Sequence, residues 1–193
     1  YEAFEKEFFT NLETAVAQYA TQQGNSFLTD KTKDAITFLR LITQRYDVAT
    51  ANPPYTDSAD FGPDLKKFVE ANYKKPYKFH TNLYATFIKR CFELLNEDGY
   101  VAMLHPLTFM YIKTFEDVRK YILSKSQINI LAELGLGGVF ANNDVQVDVV
   151  MYILRNGSLN EKSLFIDLKK YKNHTNKSLI FKESYLNLIK RGI

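Results

Sequence analysis

The residues best suited to chemistry are Asn52-Pro53-Pro54-Tyr55, which directly follow the short apolar run Tyr46 to Ala51. Each proline fixes φ at about −65° and lacks a backbone N–H, and a residue that precedes proline is disfavoured in a helix. The turn is therefore stiff, and it presents an amide side chain and an aromatic ring at the end of a strand. Open α/β sheets bind their ligands outside the carboxyl ends of their strands. We therefore expect this turn to hold a flat, hydrogen-bonding substrate such as a nucleobase.

An Asn-Pro turn also ends many strands that bind nothing, so the elements that follow must decide between the two interpretations. The apolar spacing from Tyr84 to Asn96 predicts an amphipathic helix, and Gly99 is expected to stop it. The continuous apolar run Tyr100 to Leu104 then predicts a strand that is buried on both faces. This strand is expected to end at His105-Pro106.

The second half of the sequence continues the alternation of helices and strands. A helix is expected from a cap at Thr114 through Ser124, and strands are expected over 128–134 and 146–154. A glycine-rich turn joins these two strands, with Gly135, Gly137 and Gly138. Two strands joined by a short turn predict an antiparallel hairpin.

The tetrapeptide and this order of elements resemble the amino-methyltransferases that use S-adenosylmethionine, above all the adenine-N6 DNA methyltransferases of restriction-modification and phage-exclusion systems. The resemblance covers about residues 46–155. It implies an α/β fold, a partial Rossmann-like methyltransferase sheet that is mixed, closes with the C-terminal antiparallel hairpin and is flanked by helices. It also implies an enzyme that transfers a methyl group to N6 of a flipped-out adenine in double-stranded DNA.

The resemblance further assigns roles to four residues. The Asn52 side-chain oxygen and the Pro53 backbone carbonyl would accept hydrogen bonds from the exocyclic amine of adenine. Extruding a base costs a few kcal/mol, and stacking on Tyr55 would return about 1–3 kcal/mol. Phe140 matches the second aromatic residue at the flipped base, although Val139 and Phe140 are equally compatible with the core of the hairpin.

Basic and aromatic residues interleave between Thr56 and Thr81, a stretch that we expect to be a loop. Basic side chains bind phosphates and aromatic rings stack on unpaired bases. The alternative is a solvated helix face whose aromatic residues anchor it to the core. The candidate DNA-binding residues are Lys66, Lys67, Lys74, Lys75 and Lys78.

The cofactor site is expected outside this sequence. The resemblance places a glycine-rich cofactor loop and an acidic ribose-binding residue on strands before the catalytic turn. No Gly-x-Gly precedes Asn52, since Gly24 is the single glycine there. We therefore expect an internal fragment whose S-adenosylmethionine pocket is incomplete, which is inactive alone and which has the missing remainder of the chain as a partner.

Three segments are predicted along the chain. Residues 1–45 are expected to form an N-terminal helical segment, in which Asp30 or Thr32 caps the second of two helices. Residues 46–155 form the catalytic half of the methyltransferase domain. Residues 156–193 form a linker, a weak strand and a short helix near Tyr185 to Lys190.

Composition excludes several classes of protein. The chain has 193 residues, is 46% apolar and carries a net charge of +3, so it can bury a core and is not a polycation. Without a run of 18 or more apolar residues, no membrane partner is expected. The single Cys91 excludes an internal disulfide and favours a cytoplasmic location. The three histidines lack partners at metal-ligand spacing, so no metal site is predicted.

Two other functions remain open on the sequence. A protein-glutamine N5 methyltransferase also presents an Asn-Pro-Pro-Tyr turn, to a planar amide. The chain is also compatible with a non-catalytic DNA-binding segment of a restriction complex. The interleaved basic and aromatic residues favour DNA over a protein substrate.

Overall fold

The computed structural model describes residues 2–23, 26–136, 147–157, 162–171 and 173–190. These residues belong to two compact units, residues 1–45 and 46–193. The predicted division of the chain at residues 155 and 156 stays a prediction. In the part of the chain that the structure describes, every helix is too short or too polar to cross a membrane.

The first unit is a pair of helices, as the sequence predicts. Helix α1 covers Glu2–Gln23 and helix α2 covers Ser26–Thr43. The expected caps at Asp30 and Thr32 are wrong, because both residues lie inside α2. Arg40 joins the two helices, since its guanidinium donates to Glu13 over 2.7 Å and lies 5.5 Å from the ring centre of the buried Phe9.

The second unit is built on a mixed sheet of five strands. The strands are β1 (Tyr46–Ala51), β2 (Leu95–Pro106), β3 (Ser126–Gly135), β4 (Val149–Asn156) and β5 (Leu164–Asp167). Their order across the sheet is β1-β2-β4-β3-β5. Strand β1 is parallel to β2, β4 is antiparallel to both β2 and β3, and β5 is parallel to β3. The predicted antiparallel pairing of β3 with β4 is therefore confirmed, while residues 137–146 between them lie outside the described residues.

Helices cover both faces of this sheet. The helices that the structure describes in this unit are α3 (Pro63–Tyr73), which contacts α4, and α4 (Leu83–Glu93), α5 (Glu116–Lys125) and α6 (His174–Lys190). Successive strand residues point to opposite faces, and the buried residues divide accordingly. A first core forms against α4 and α5 and includes Ile88, Phe92, Val101, Met103, Val118 and Tyr152. A second core contains Ala132, Leu134, Val149, Ile166 and Leu168, with Ile180 and Phe181 of α6 packed against it.

The expected role of Gly99 as a helix stop is wrong. Helix α4 ends at Glu93, and β2 begins at Leu95, so Gly99 is a buried residue of the strand. A Cβ at this position would lie 2.9 Å from the carbonyl oxygen of Asp47 and 3.2 Å from that of Tyr46. Glycine is therefore needed where β1 approaches β2, beside an irregularity in their register.

Two other local expectations are also wrong. Thr114 does not cap α5, because it lies within a 3-10 turn, Lys113–Phe115, and the helix begins at Glu116. The negative charges of Glu116 and Asp117, in the first turn of α5, stabilise the N-terminal end of that helix instead. The expected loop from Thr56 to Thr81 contains α3, whose Pro63 takes the first helical position, where a missing N–H costs nothing.

The C-terminal elements are longer and better packed than the sequence suggests. The predicted weak strand is β5, which pairs with β3. The helix expected near Tyr185 begins at His174 and is 17 residues long. Strand β4 begins at Val149 and ends at Asn156, so it is shifted towards the C-terminus relative to the predicted 146–154.

The contact at Gly99 leads to a test by substitution. Gly99→Ala should lower the free energy of unfolding by about 1–3 kcal/mol, because the added methyl group would force β1 away from β2. Gly62→Ala is the matched control, since a Cβ there meets no atom within 4 Å. Urea unfolding of both variants, followed by circular dichroism, measures the difference. Equal unfolding midpoints would contradict the assigned role of Gly99.

Candidate active site

The turn Asn52-Pro53-Pro54-Tyr55 lies at one end of the sheet, together with the ends of two other strands. Ala51, the last residue of β1, pairs with Met103 of β2, and Pro106 at the end of β2 pairs with Val149. Gly135 at the end of β3 pairs with Val149 as well. The carboxyl ends of β1, β2 and β3 therefore meet at the same end of the sheet, where α/β folds bind their ligands.

The side chains of the turn differ in exposure. Asn52 is exposed, Pro53 is buried and Tyr55 is half-buried, with its ring packed against the second core. The Tyr55 hydroxyl donates a hydrogen bond to Asn52 Oδ1 over 3.0 Å. Burial raises the pKa of Tyr55, so the hydroxyl keeps its proton and remains a donor at neutral pH. The turn thus presents an accessible amide oxygen beside a fixed ring.

Backbone hydrogen bonds fix the chain just after the turn. The Leu83 N–H donates to the Thr56 carbonyl over 2.9 Å, and Asp57 and Asn82 form an antiparallel bridge. The Asp57 carboxylate accepts from the Ala59 N–H over 3.0 Å, and Asn82 Oδ1 accepts from the Tyr84 N–H at the start of α4. Asp57 is therefore a turn former, and the residues at the start of α4 fix the chain that follows Tyr55.

A buried histidine lies at the end of β2. The ring of His105 is fully buried and stacks on Tyr84, with ring centres 4.5 Å apart. His105 Nδ1 lies 3.0 Å from the Pro106 carbonyl oxygen, and Nε2 lies 2.7 Å from the Tyr152 hydroxyl. Because a carbonyl can only accept, Nδ1 carries the proton and the hydroxyl donates to Nε2. Burial lowers the pKa of His105 to about 4, so the ring is neutral.

Sequence reasoning missed this network, because it treated His105 as the end of a strand and no more. The pattern that could have revealed it is a histidine inside a run that is otherwise apolar. Such a residue must be buried, and a buried imidazole needs partners for both nitrogens.

The candidate DNA-binding lysines do not share one environment. Lys66 and Lys67 are exposed on α3, next to Phe68, which is 58% exposed. Lys74 and Lys75 are exposed just after that helix. Lys78 is exposed as well, but its ammonium group lies 2.8 Å from the Asp117 carboxylate. Because the Asp117 carboxylate offsets the charge of Lys78, we expect Lys78 to attract a phosphate less strongly than the other four lysines do.

Most aromatic residues of this stretch belong to the core. Phe61 and Phe79 are buried, and Tyr77 packs edge-to-face on Tyr121 with ring centres 5.1 Å apart. The alternative interpretation, aromatic residues that anchor a solvated helix, therefore describes these three. Phe68 is different, since its ring is exposed beside the lysines of α3.

The end of β3 is held by contacts that the sequence does not suggest. The Glu133 carboxylate accepts from the Tyr111 hydroxyl over 2.8 Å and pairs with the Lys169 ammonium group. Lys177 of α6 is buried and its ammonium group donates to the Leu134 carbonyl. Gly135 follows with φ +72°, a conformation that favours glycine. Phe140, Gly137 and Gly138 lie outside the described residues, so the role of Phe140 stays a prediction.

Among the residues that the structure describes, no three side chains of His, Cys, Asp or Glu are arranged to hold a metal ion. Cys91 is buried on α4, as its apolar neighbours in the sequence predict.

Residues 2–140 match the family model of the Eco57I restriction-modification methylase. The chain is 27% identical over 116 residues to the adenine-specific methyltransferase BrxX of Escherichia coli O9:H4 (strain HS). The aligned region covers 60% of this chain and 9% of BrxX. It is 28% identical over 128 residues to the restriction enzyme and methyltransferase RM.Eco57I of Escherichia coli. This aligned region covers 62% of this chain and 13% of that protein. The chain thus spans about a tenth of the length of these relatives.

Solved structures show the same fold at low identity. The type ISP restriction-modification enzyme LlaGI, in complex with a DNA substrate mimic, gives a TM-score of 0.56 at 17% identity, over 80% of this chain and 17% of that one. A protein from Listeria monocytogenes assigned to the class I S-adenosylmethionine-dependent methyltransferases gives 0.53 at 17% identity, over 73% of this chain and 42% of that one. The predicted Rossmann-like methyltransferase fold is therefore confirmed.

The neutral, buried His105 predicts how stability depends on pH. Its folded pKa of about 4 lies below the ordinary value of 6.5, so its contribution is fully present above pH 6.5 and is lost as the pH falls towards 4. The loss is on the order of 3 kcal/mol. Urea unfolding between pH 4.5 and 7.5 should give a shallower dependence for His105→Gln than for the wild type.

The matched control is His80→Gln, because His80 is only partly buried. It should change the pH dependence less than His105→Gln does. If wild type and His105→Gln lose stability equally as the pH falls, His105 is not the buried neutral group described here.

Proposed function

The chain belongs to the Eco57I restriction-modification methylase family, and on that premise we propose that it forms the base-binding, catalytic half of an adenine-N6 DNA methyltransferase. The observation that carries the proposal is the turn Asn52-Pro53-Pro54-Tyr55 at the carboxyl end of β1, with an exposed Asn52 and a half-buried Tyr55. Ligands of α/β folds bind at this end of the sheet. The whole protein would act in restriction-modification or phage defence.

The proposed mechanism follows from the chemistry of the exocyclic amine of adenine. Its lone pair is delocalised into the ring, so the nitrogen is a poor nucleophile. Two acceptors aimed at the NH2 group, Asn52 Oδ1 and the Pro53 carbonyl, would favour a pyramidal nitrogen and localise the lone pair on it. This is electrostatic stabilisation of the transition state together with positioning, and it needs no covalent enzyme intermediate.

The target base must leave the duplex to reach these acceptors, because its exocyclic amine is engaged in the base pair inside the duplex. We propose that the base stacks on the ring of Tyr55, whose packing against the second core orders it before binding. Phe140 is proposed as the second aromatic residue at the base. Stacking of this kind offsets part of the cost of extrusion.

The fold family implies S-adenosylmethionine, which supplies the methyl group. The residues described here do not fit the role of holding it. Two prolines follow Asn52 and offer no backbone N–H groups, and no Gly-x-Gly precedes the turn in the sequence. We therefore assign the cofactor-binding residues to a part of the whole protein outside these 193 residues, which would be inactive on their own.

Double-stranded DNA is the proposed partner. Lys66, Lys67, Lys74 and Lys75 supply positive charge on and just after α3, the helix that follows the turn, and the proposed contribution of Lys78 is smaller because it is paired with Asp117. Such charges bind phosphates without reading sequence. A cytoplasmic location, where cellular DNA would be accessible, is part of the same proposal.

The similarity to BrxX favours adenine over other acceptors. BrxX is named an adenine-specific methyltransferase. A protein-glutamine N5 methyltransferase and a non-catalytic DNA-binding segment are the alternatives, and the same experiment separates all three. Labelled methyl groups would be found on adenine, on protein glutamine or on neither.

Asn52→Ala in the whole protein should lower turnover by about a hundredfold or more, while DNA binding persists. The reason is that Asn52 Oδ1 is needed mainly in the transition state. The measurement is methyl transfer from labelled S-adenosylmethionine to DNA, with binding followed separately by fluorescence anisotropy. Asp60→Asn is the control, since Asp60 is an exposed residue of the 3-10 turn after Tyr55. Near-normal methylation by Asn52→Ala would make the turn merely structural.

Replacing Lys74 and Lys75 together by alanine should weaken binding to all DNA sequences. Each lost phosphate contact removes about 0.9 from the slope of log K against log salt, so the double variant should lose up to about 2. Lys78→Ala should change the slope less, because Lys78 is paired with Asp117. An unchanged slope in the double variant would mean that these lysines are a solvated surface.

A further inference from the structure

One hydrogen bond inside the catalytic turn involves a group that base stacking does not use. The Tyr55 hydroxyl donates to Asn52 Oδ1 over 3.0 Å. Among the residues that the structure describes, this is the sole side-chain hydrogen bond of Asn52. Stacking needs the ring of Tyr55, so the hydroxyl is left to act on Asn52.

The side chain of Asn52 can face a substrate in two ways. An asparagine amide ends in an oxygen that accepts and an NH2 group that donates, and a rotation of about 180° exchanges their positions. Only the oxygen can accept from the exocyclic amine of adenine. With the NH2 group turned to the base, donors would face donors and the lone pair of the amine would not be localised.

The Tyr55 hydroxyl discriminates between the two orientations. A phenol is a better donor than acceptor, because its oxygen lone pair is delocalised into the ring, so it favours the amide oxygen over the NH2 group. The amide oxygen has two lone pairs, and the hydroxyl occupies one of them. The second remains for the amine of the base. The hydroxyl is itself held in place because the Tyr55 ring packs against the second core.

We propose that the Tyr55 hydroxyl is a positioning group, which keeps Asn52 Oδ1 turned towards the amine of the target base. This inference rests on the proposed function and deepens it, since Tyr55 acts in two ways. Its ring stacks on the base, and its hydroxyl acts on turnover through Asn52. The two roles can be separated, because phenylalanine keeps the ring and lacks the hydroxyl.

Tyr55→Phe in the whole protein should lower kcat by about three- to tenfold, the range expected for one neutral hydrogen bond. The KM for DNA should stay within about twofold of the wild type, because the ring still stacks. Base extrusion, read by the fluorescence of 2-aminopurine at the target position, should also be retained. An unchanged or faster kcat would overturn the proposal, since the hydroxyl would then be neutral or would block the acceptor.

Asn52→Asp provides a background in which there is no amide to orient. A carboxylate carries oxygen at both positions, so either can accept from the amine. In this background, the further change Tyr55→Phe should cost less than about twofold in kcat. If Tyr55→Phe cost the same with and without the Asn52→Asp change, the positioning role would be overturned and a general structural effect of the hydroxyl would remain.

A measurement without catalysis distinguishes this proposal from the proposed function. Side-chain 15N relaxation of Asn52, in the whole protein with selectively labelled asparagine, reports how well the amide is ordered. The order should fall in Tyr55→Phe relative to the wild type, and an unchanged order would overturn the proposal. If the whole protein transfers no methyl group to adenine, the proposed function fails, and the relaxation result still decides whether the hydroxyl orders Asn52.

Discussion

The parallel pairing of β1 with β2 is the constraint on which the candidate active site depends. Its register pairs Ala51 with Met103, so Asn52 leaves β1 close to the point where β2 reaches His105 and Pro106. Close approach of the two strands requires glycine at position 99, where a Cβ would lie 2.9 Å from the Asp47 carbonyl oxygen. A side chain there would displace β1, and with it the turn at Asn52 to Tyr55.

The turn is made rigid both by residues within it and by contacts of the residues that follow it. Two prolines restrict the backbone within the turn, and the Thr56 carbonyl is held by the N–H of Leu83 at the start of α4. The next residue of α4, Tyr84, stacks on the buried His105 at the end of β2. The helix thus links the turn to the neighbouring strand. The exposed side-chain oxygen of Asn52 is therefore carried by a backbone that α4 holds in place.

Local sequence patterns were sufficient to predict the individual strands and the turn, because apolar runs and prolines act over a few residues, while the mixed sheet was implied by the resemblance to a family. Contacts between distant residues were not predictable in this way. From its local sequence Gly99 is expected to stop a helix, but its role depends on the close approach of β1. Lys78 is expected to bind phosphate, but in the fold it is paired with Asp117 of α5. The hydrogen bond from the Tyr55 hydroxyl to Asn52 was not predictable from the sequence either, although the two residues are close in the chain, because it depends on side-chain geometry.

The most direct test of the account is to identify the atom that receives the methyl group. The whole protein would be incubated with labelled S-adenosylmethionine and double-stranded DNA, and both DNA and protein would be digested and analysed by mass spectrometry. We predict label on N6 of deoxyadenosine, with little in an Asn52→Ala variant. Label on protein glutamine, or adenine methylation that does not depend on Asn52, would contradict it.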